Sequence, residues 1–158
     1  MSQENVEKMR AFAEADVLAR ASGEFDAEAA IARQAELWDP EIELDASRFP
    51  VLDISCVYRG ADAARNWWRE WYAAWDTLRF EYELLDAGDQ VVTLLELRLR
   101  GRSTGIEFPP AKGAWVATFR DGLIVHLKLY MSQSEALEAV GLSESDKPVG
   151  QPRHGSRS

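Results

Sequence analysis

Apolar residues recur along this chain at two intervals, and the change from one to the other sets its organisation. Over residues 3–22, Val6, Met9, Phe12, Ala13 and Val17 recur at the spacing of one helix face. Gly23 supplies a stop. Asp26 stands where it can cap a second, alanine-rich helix, "AEAAIARQAELW", that Asp39-Pro40 should end. "EIELDA" alternates apolar and polar residues and predicts a strand, and "CVYRG" predicts another short extended piece. Residues 61–75 return to helical spacing. From there to residue 131 the period is two: "LRFEYELL", "QVVTLLELRLRGR", "GAWVATFR" and "LIVHLKLYM" read as four strands. Asp86-Ala-Gly-Asp89 and Arg120-Asp-Gly122 supply the tight turns, because Gly and Asp tolerate the backbone angles of hairpins. Ser132-Gln-Ser-Glu135 has the pattern of a capping box opening a last short helix, which Gly141 ends.

Three helical segments followed by an antiparallel meander predict an α+β domain with helices on one face of a curved sheet. Alternation assigns the faces. Phe80, Tyr82 and Leu84, then Leu95, Leu97 and Leu99, then Trp115, Ala117 and Phe119, and finally Leu127, Leu129 and Met131 should meet the helices. Glu96, Arg98, Arg100, Thr118, Arg120, His126, Lys128 and Tyr130 belong to the opposite face. In the third helical segment, Ala64, Trp68, Trp71 and Trp75 form one stripe with Trp67 beside it. Such a stripe should seal the helix onto the sheet, with rings at its open end free to line a pocket. Residues 1–142 are expected to form a single domain; residues 143–158, rich in Ser, Gly and Pro, are expected to be a disordered tail.

Composition removes several function classes. A net charge of −9 argues against sequence-independent binding of nucleic acid and against docking on an anionic membrane. The one cysteine, Cys56, cannot close an internal disulfide, and with only His126 and His154 beside it no cysteine–histidine zinc site can form. No phosphate-cradling glycine loop or nucleophile elbow occurs, so neither a cofactor nor Ser-His-Asp chemistry is expected. "MSQENVEKMR" lacks the apolar run of a signal peptide and no segment reaches the ~18 apolar residues of a membrane span, so a cytoplasmic location is expected.

The order and spacing of "SQENVEKMRAF", "GEFD", "ELWDPEIEL", "VYRGADAARNWWREWYAAWDTLRFE", "LLDAGDQVV", "ATFRDGLIV" and "SEALEAVGL" resemble the nuclear transport factor 2-like superfamily, within it the polyketide-cyclase (SnoaL-like) branch. The resemblance spans residues 3–142. It implies a nuclear transport factor 2-like, cystatin-like architecture: a cone-like, curved mixed sheet around a helix-lined pocket, with a homodimer paired through the sheet's outer face. Ketosteroid isomerases, polyketide cyclases, epoxide hydrolases and dehydratases share this fold with members of no known activity, so function must be argued from the pocket.

Set against the isomerase pattern, Asp45 falls at the general-base aspartate, although alternation puts it with Glu43 on the face opposite Ile42 and Leu44. Only a bend or bulge would turn it inward. Asp16 falls at the oxyanion-hole tyrosine, seven residues before Gly23, where it could donate if protonated or orient a water if ionised. A salt bridge to Arg20 at i+4 is the alternative. The second oxyanion donor falls at Trp115, an N–H donor that cannot act as an acid, so steroid-type isomerisation is not expected. Tyr58 could present a hydroxyl at the pocket mouth or be structural, and His126 reads as a surface or dimer residue. The catalytic candidates are therefore Asp16 and Asp45; the candidate ligand-binding set is Tyr58, Trp71, Trp75, Trp115, Phe80, Leu97 and Met131. The expected ligand is a small apolar or aromatic molecule, handled either by acid/base chemistry of the cyclase, isomerase, hydrolase or dehydratase type or by binding alone.

Overall fold

Helical spacing in the first segment becomes α1 (Ser2–Ala21), and Gly23, with φ of 76°, takes the chain out of it in a left-handed conformation. The computed structural model describes residues 2–48, 57–102, 104–143 and 153–154. The Asp26 carboxylate accepts from the Ala29 amide at 2.9 Å and starts α2 (Ala27–Ala35). This helix ends at Ala35 rather than Trp38. Trp38, Asp39 and Pro40 instead open strand β1 (Trp38–Arg48). A proline inside a strand removes a ladder donor, and here the register of β1 is interrupted between Trp38 and Glu43, where that loss is tolerated.

After β2 (Val57–Arg59) come α3 (Ala61–Ala73) and four long strands: β3 (Trp75–Ala87), β4 (Gln90–Gly101), β5 (Ala111–Arg120) and β6 (Leu123–Tyr130). Trp75 is thus the first residue of β3, not part of the helix. The turn joining β5 to β6 has positive φ at both Asp121 (54°) and Gly122 (81°), the requirement of a two-residue hairpin that follows strand twist. The short helix α4 (Gln133–Ala139) opens on the Ser132 hydroxyl, which accepts from the Glu135 amide. Of the expected tail, Ser143 and the short strand β7 (Arg153–His154), paired along β3, are described; Cys56 and the rest of the tail lie outside the described residues.

The strand order is β2-β1-β6-β5-β4-β3-β7. β3 to β6 form an antiparallel meander, while β1 runs parallel to β6, so the sheet is mixed, curved and unclosed. Its concave face meets α1, α2 and α3 across the main core, where Trp67, Trp68, Trp71 and Trp75 are all buried. Met131 is the exception among the residues expected there: it lies just past β6 and is 37% exposed.

The outer face carries more than charge. Leu85, Val92, Leu94, Ala114, Val116 and Tyr130 are buried against Ala136 and Leu137 of α4 in a second, smaller core. Tyr130 lies on the expected face but beneath a helix. Among the described residues no helix is long and apolar enough to cross a membrane.

Candidate functional site

α1 and α3 both pack on the concave face, and together with β3–β5 they line a cavity of ≈ 40 Å³. A space of this size holds only one or a few waters. Its walls are rings: Trp68 and Trp71 of α3, Phe80 of β3 and Trp115 of β5, with Leu97 of β4. Trp68 meets Trp115 edge to face at 5.4 Å, and Trp67 stacks on Trp71 at 5.8 Å. Only a few polar groups face this slot, chiefly from Asp16, Arg20, Tyr72 and Thr93.

Asp16 lies on the buried face of α1 and is 2% exposed. Its Oδ2 accepts from Arg20 Nε at 2.8 Å across one helical turn. Arg20 is itself fixed: a second guanidinium nitrogen donates to the Leu78 carbonyl at 2.9 Å, and the cation sits 3.9 Å over the Phe25 ring. The other carboxylate oxygen, Oδ1, is buried with no hydrogen-bond partner among the described residues, and so is Thr93 Oγ1. Leaving such an atom unpaired costs roughly 1–3 kcal/mol, which a ligand group of the right polarity recovers. Beside them the Tyr72 hydroxyl is pushed far above its ordinary pKa, first by burial and then by the Asp16 charge, so it stays protonated and able to donate.

Asp45 is not part of this site. Ile42, Leu44 and Ala46 point into the core, and Asp45 takes the opposite face, as strict alternation requires. Its Oδ1 accepts from the Ser47 amide at 2.9 Å and from the Ser47 hydroxyl, and Lys128 Nζ lies 3.7 Å from Oδ2. Next to it Glu43 pairs with Arg59 at 2.8 Å and with His126 at 3.2 Å. Burial works to raise the Asp45 pKa, but the Ser47 hydrogen bonds and then the Lys128 and His126 charges outweigh it and hold the carboxyl below its ordinary value.

A carboxyl with a lowered folded-state pKa stabilises the fold above its unfolded value, near pH 4, and that contribution is lost as pH falls through the folded-state pKa. The variant Asp45→Asn is therefore expected to unfold at lower urea than the parent at pH 7, with the gap closing in acid as pH falls from about 4 through the folded-state pKa. Equal midpoints at pH 7 would show that the pairing contributes nothing.

The remaining candidates divide. Trp71, Phe80, Leu97 and Trp115 line the Asp16 slot. Trp75 and Met131 line a second, wider hollow of ≈ 290 Å³, closed on one side by residues 108–111. Tyr58, paired with Leu44 across β1 and β2, packs against the core beyond the lining of either space. Sequence reasoning did not single out Thr93, Tyr72 or the 108–111 segment as site residues. Thr93 had a signal: it is the one hydroxyl inside the apolar run "VVTLLEL". Among the described residues no group of three or more His, Cys, Asp or Glu is arranged to hold a metal ion.

The SnoaL-like domain model matches residues 10–127. No curated protein matches the chain. Solved structures do. A protein of unknown function from Burkholderia pseudomallei K96243, described as NTF2-like, is 16% identical with a TM-score of 0.63, over 87% of this chain and 98% of that one. A candidate SnoaL-like polyketide cyclase from Jannaschia sp. CCS1 is 15% identical with a TM-score of 0.62, over 87% and 91%. TerC, co-crystallised with polyporic acid, is 14% identical with a TM-score of 0.61, over 87% and 98%. At these identities the likeness is one of fold.

Proposed function

The chain belongs to the SnoaL-like domain family, and from that premise we propose that it takes the hydrogen-bonding end of a small, mainly apolar or aromatic molecule between α1 and α3, with Asp16 as the cofactor-independent acid/base group. One observation carries the reading: a buried carboxylate oxygen with no partner among the described residues, at the wall of a slot lined mainly by rings and aliphatic side chains. The Arg20 pair holds the other oxygen, so the carboxylate cannot turn away. A substrate hydroxyl or a water at Oδ1 would recover the lost hydrogen bond and stand where Asp16 can exchange a proton with it. The Tyr72 and Thr93 hydroxyls offer further polar contacts. TerC, co-crystallised with polyporic acid, is a precedent for a small molecule with this fold.

Binding without chemistry is the second reading. It is favoured by the lining itself, in which, among the described residues, Asp16 is the only carboxylate and there is no imidazole. Proton transfer in two directions would have to use Asp16 alone or water.

Phenol and toluene have rings of the same size, and only phenol donates a hydrogen bond. Titrated against tryptophan fluorescence, phenol is expected to quench and to bind about tenfold tighter than toluene, the worth of one hydrogen bond to a charged group. Equal affinities would remove Asp16 from the site, and no quenching by either would remove the pocket. Turnover of any bound hydroxylated substrate, lost in Asp16→Asn while binding persists, separates the enzyme from the binding protein.

A further inference from the structure

The Asp16 slot is too small for the body of a ligand. At ≈ 40 Å³ it falls well below the roughly 300–1,000 Å³ of small-molecule sites. The hollow on the far side of Trp71 and Leu97 has ≈ 290 Å³, and those two side chains line both spaces. The two chambers therefore adjoin at Trp71 and Leu97. One offers the unpartnered carboxylate oxygen; the other is lined by apolar side chains throughout.

The rim of the hollow carries apolar surface that the fold itself does not bury. Phe108 is 47% exposed although its ring meets Trp75 edge to face at 5.4 Å, and Met131 is 37% exposed. Neither has a role in the main core, and both face the same space.

We propose that the two chambers form one divided site for an elongated, uncharged molecule with a single hydrogen-bonding head. The head meets Asp16 Oδ1, and the hydrocarbon tail passes Trp71 and Leu97 into the hollow beneath Phe108. The proposal rests on the reading of Asp16 given above and adds the substrate class. An uncharged tail follows from the lining, since a buried charge there would find no counter-charge. A single polar head follows from the confinement of the polar groups to the inner chamber.

The test is calorimetric titration of the full chain with phenol and with 4-n-alkylphenols of increasing length. Binding is expected to tighten about fourfold per added methylene while the tail fills the hollow. Two variants narrow the hollow without touching the slot. Ala111→Trp fills it, and Met131→Glu, at an exposed position that the fold tolerates, places a charge at its rim. Both are expected to lose the gain from the tail, read in each variant as the ratio of 4-n-alkylphenol affinity to phenol affinity. Phenol binding that Asp16→Asn weakens, with no gain from the tail or a gain that survives both variants, overturns the divided site and leaves the Asp16 reading standing. Failure of both phenol and the alkylphenols to bind overturns the two together.

Discussion

Replacing Trp68 by alanine is expected to destabilise the fold by about 3–5 kcal/mol, a large part of the 5–15 kcal/mol that holds a domain of this size together. Trp68 is 2% exposed and touches three other rings: Trp67 at 4.9 Å, Trp115 at 5.4 Å and Tyr72 at 5.8 Å. It joins α3 to β5 through the Trp115 contact, so its loss opens a void between helix and sheet that neither can close alone. Its neighbour in the stripe, Trp71, has one flank on the hollow and is partly relieved by that free space. Urea denaturation at pH 7 reads the effect as a fall in midpoint at constant slope. A loss below about 1 kcal/mol would mean that the ring is a ligand contact on a scaffold that stands without it.

Removing the Asp16 carboxylate has an effect of similar size and a different cause. Asp16→Ala leaves the Arg20 guanidinium, with its side chain 11% exposed, beside an apolar wall without its anion. Breaking a buried pair from one side costs about 3–5 kcal/mol. Replacing both partners by apolar residues of similar size, Asp16→Leu with Arg20→Met, is expected to return most of that loss, because a buried pair is weakly stabilising against a packed alternative. The double variant should then be stable and unable to distinguish phenol from toluene. A double variant as unstable as Asp16→Ala would show the pair to be structural, and the argument for a ligand at Oδ1 would lose its basis.

The fold was legible because most of its segments have one period and one buried face. β3 alternates from Leu78 to Leu84, and its inner residues pack as alternation requires. Legibility failed where one segment is apolar on both sides. In β4, Leu95, Leu97 and Leu99 meet the helices as assigned, but Val92 and Leu94 are as buried as Val91 and Leu95, and "VVTLLEL" by itself does not show that α4 covers the opposite face. The end of α2 failed for a different reason: "ELWDP" has no break until the proline, and only the pairing of Trp38 with Ile124 on β6 decides that Trp38 is extended. Such a contact, far apart in sequence, cannot be read locally.

The candidate site was half legible. Helical spacing put Asp16 at the border of the buried stripe and Arg20 one turn on; one oxygen is in the expected salt bridge, and the other is buried with no partner among the described residues at the wall of the slot. Alternation also warned that Asp45 points outward, and it does, because Ile42, Leu44 and Ala46 on either side of it all take the core face. The hollow could not be foreseen, since its walls come from α3, β3, β4, the 108–111 segment and Met131, brought together only by the curl of the sheet.

The central claim is that Asp16 Oδ1 is the polar contact of a ligand held among these rings. A crystal of the protein soaked with 4-butylphenol tests it most directly. The account predicts the phenol oxygen about 3 Å from Oδ1, with the Arg20 pair intact and the butyl chain in the hollow. A phenol bound elsewhere on the surface, or an interior unchanged with its rings still closed around Asp16, would contradict it.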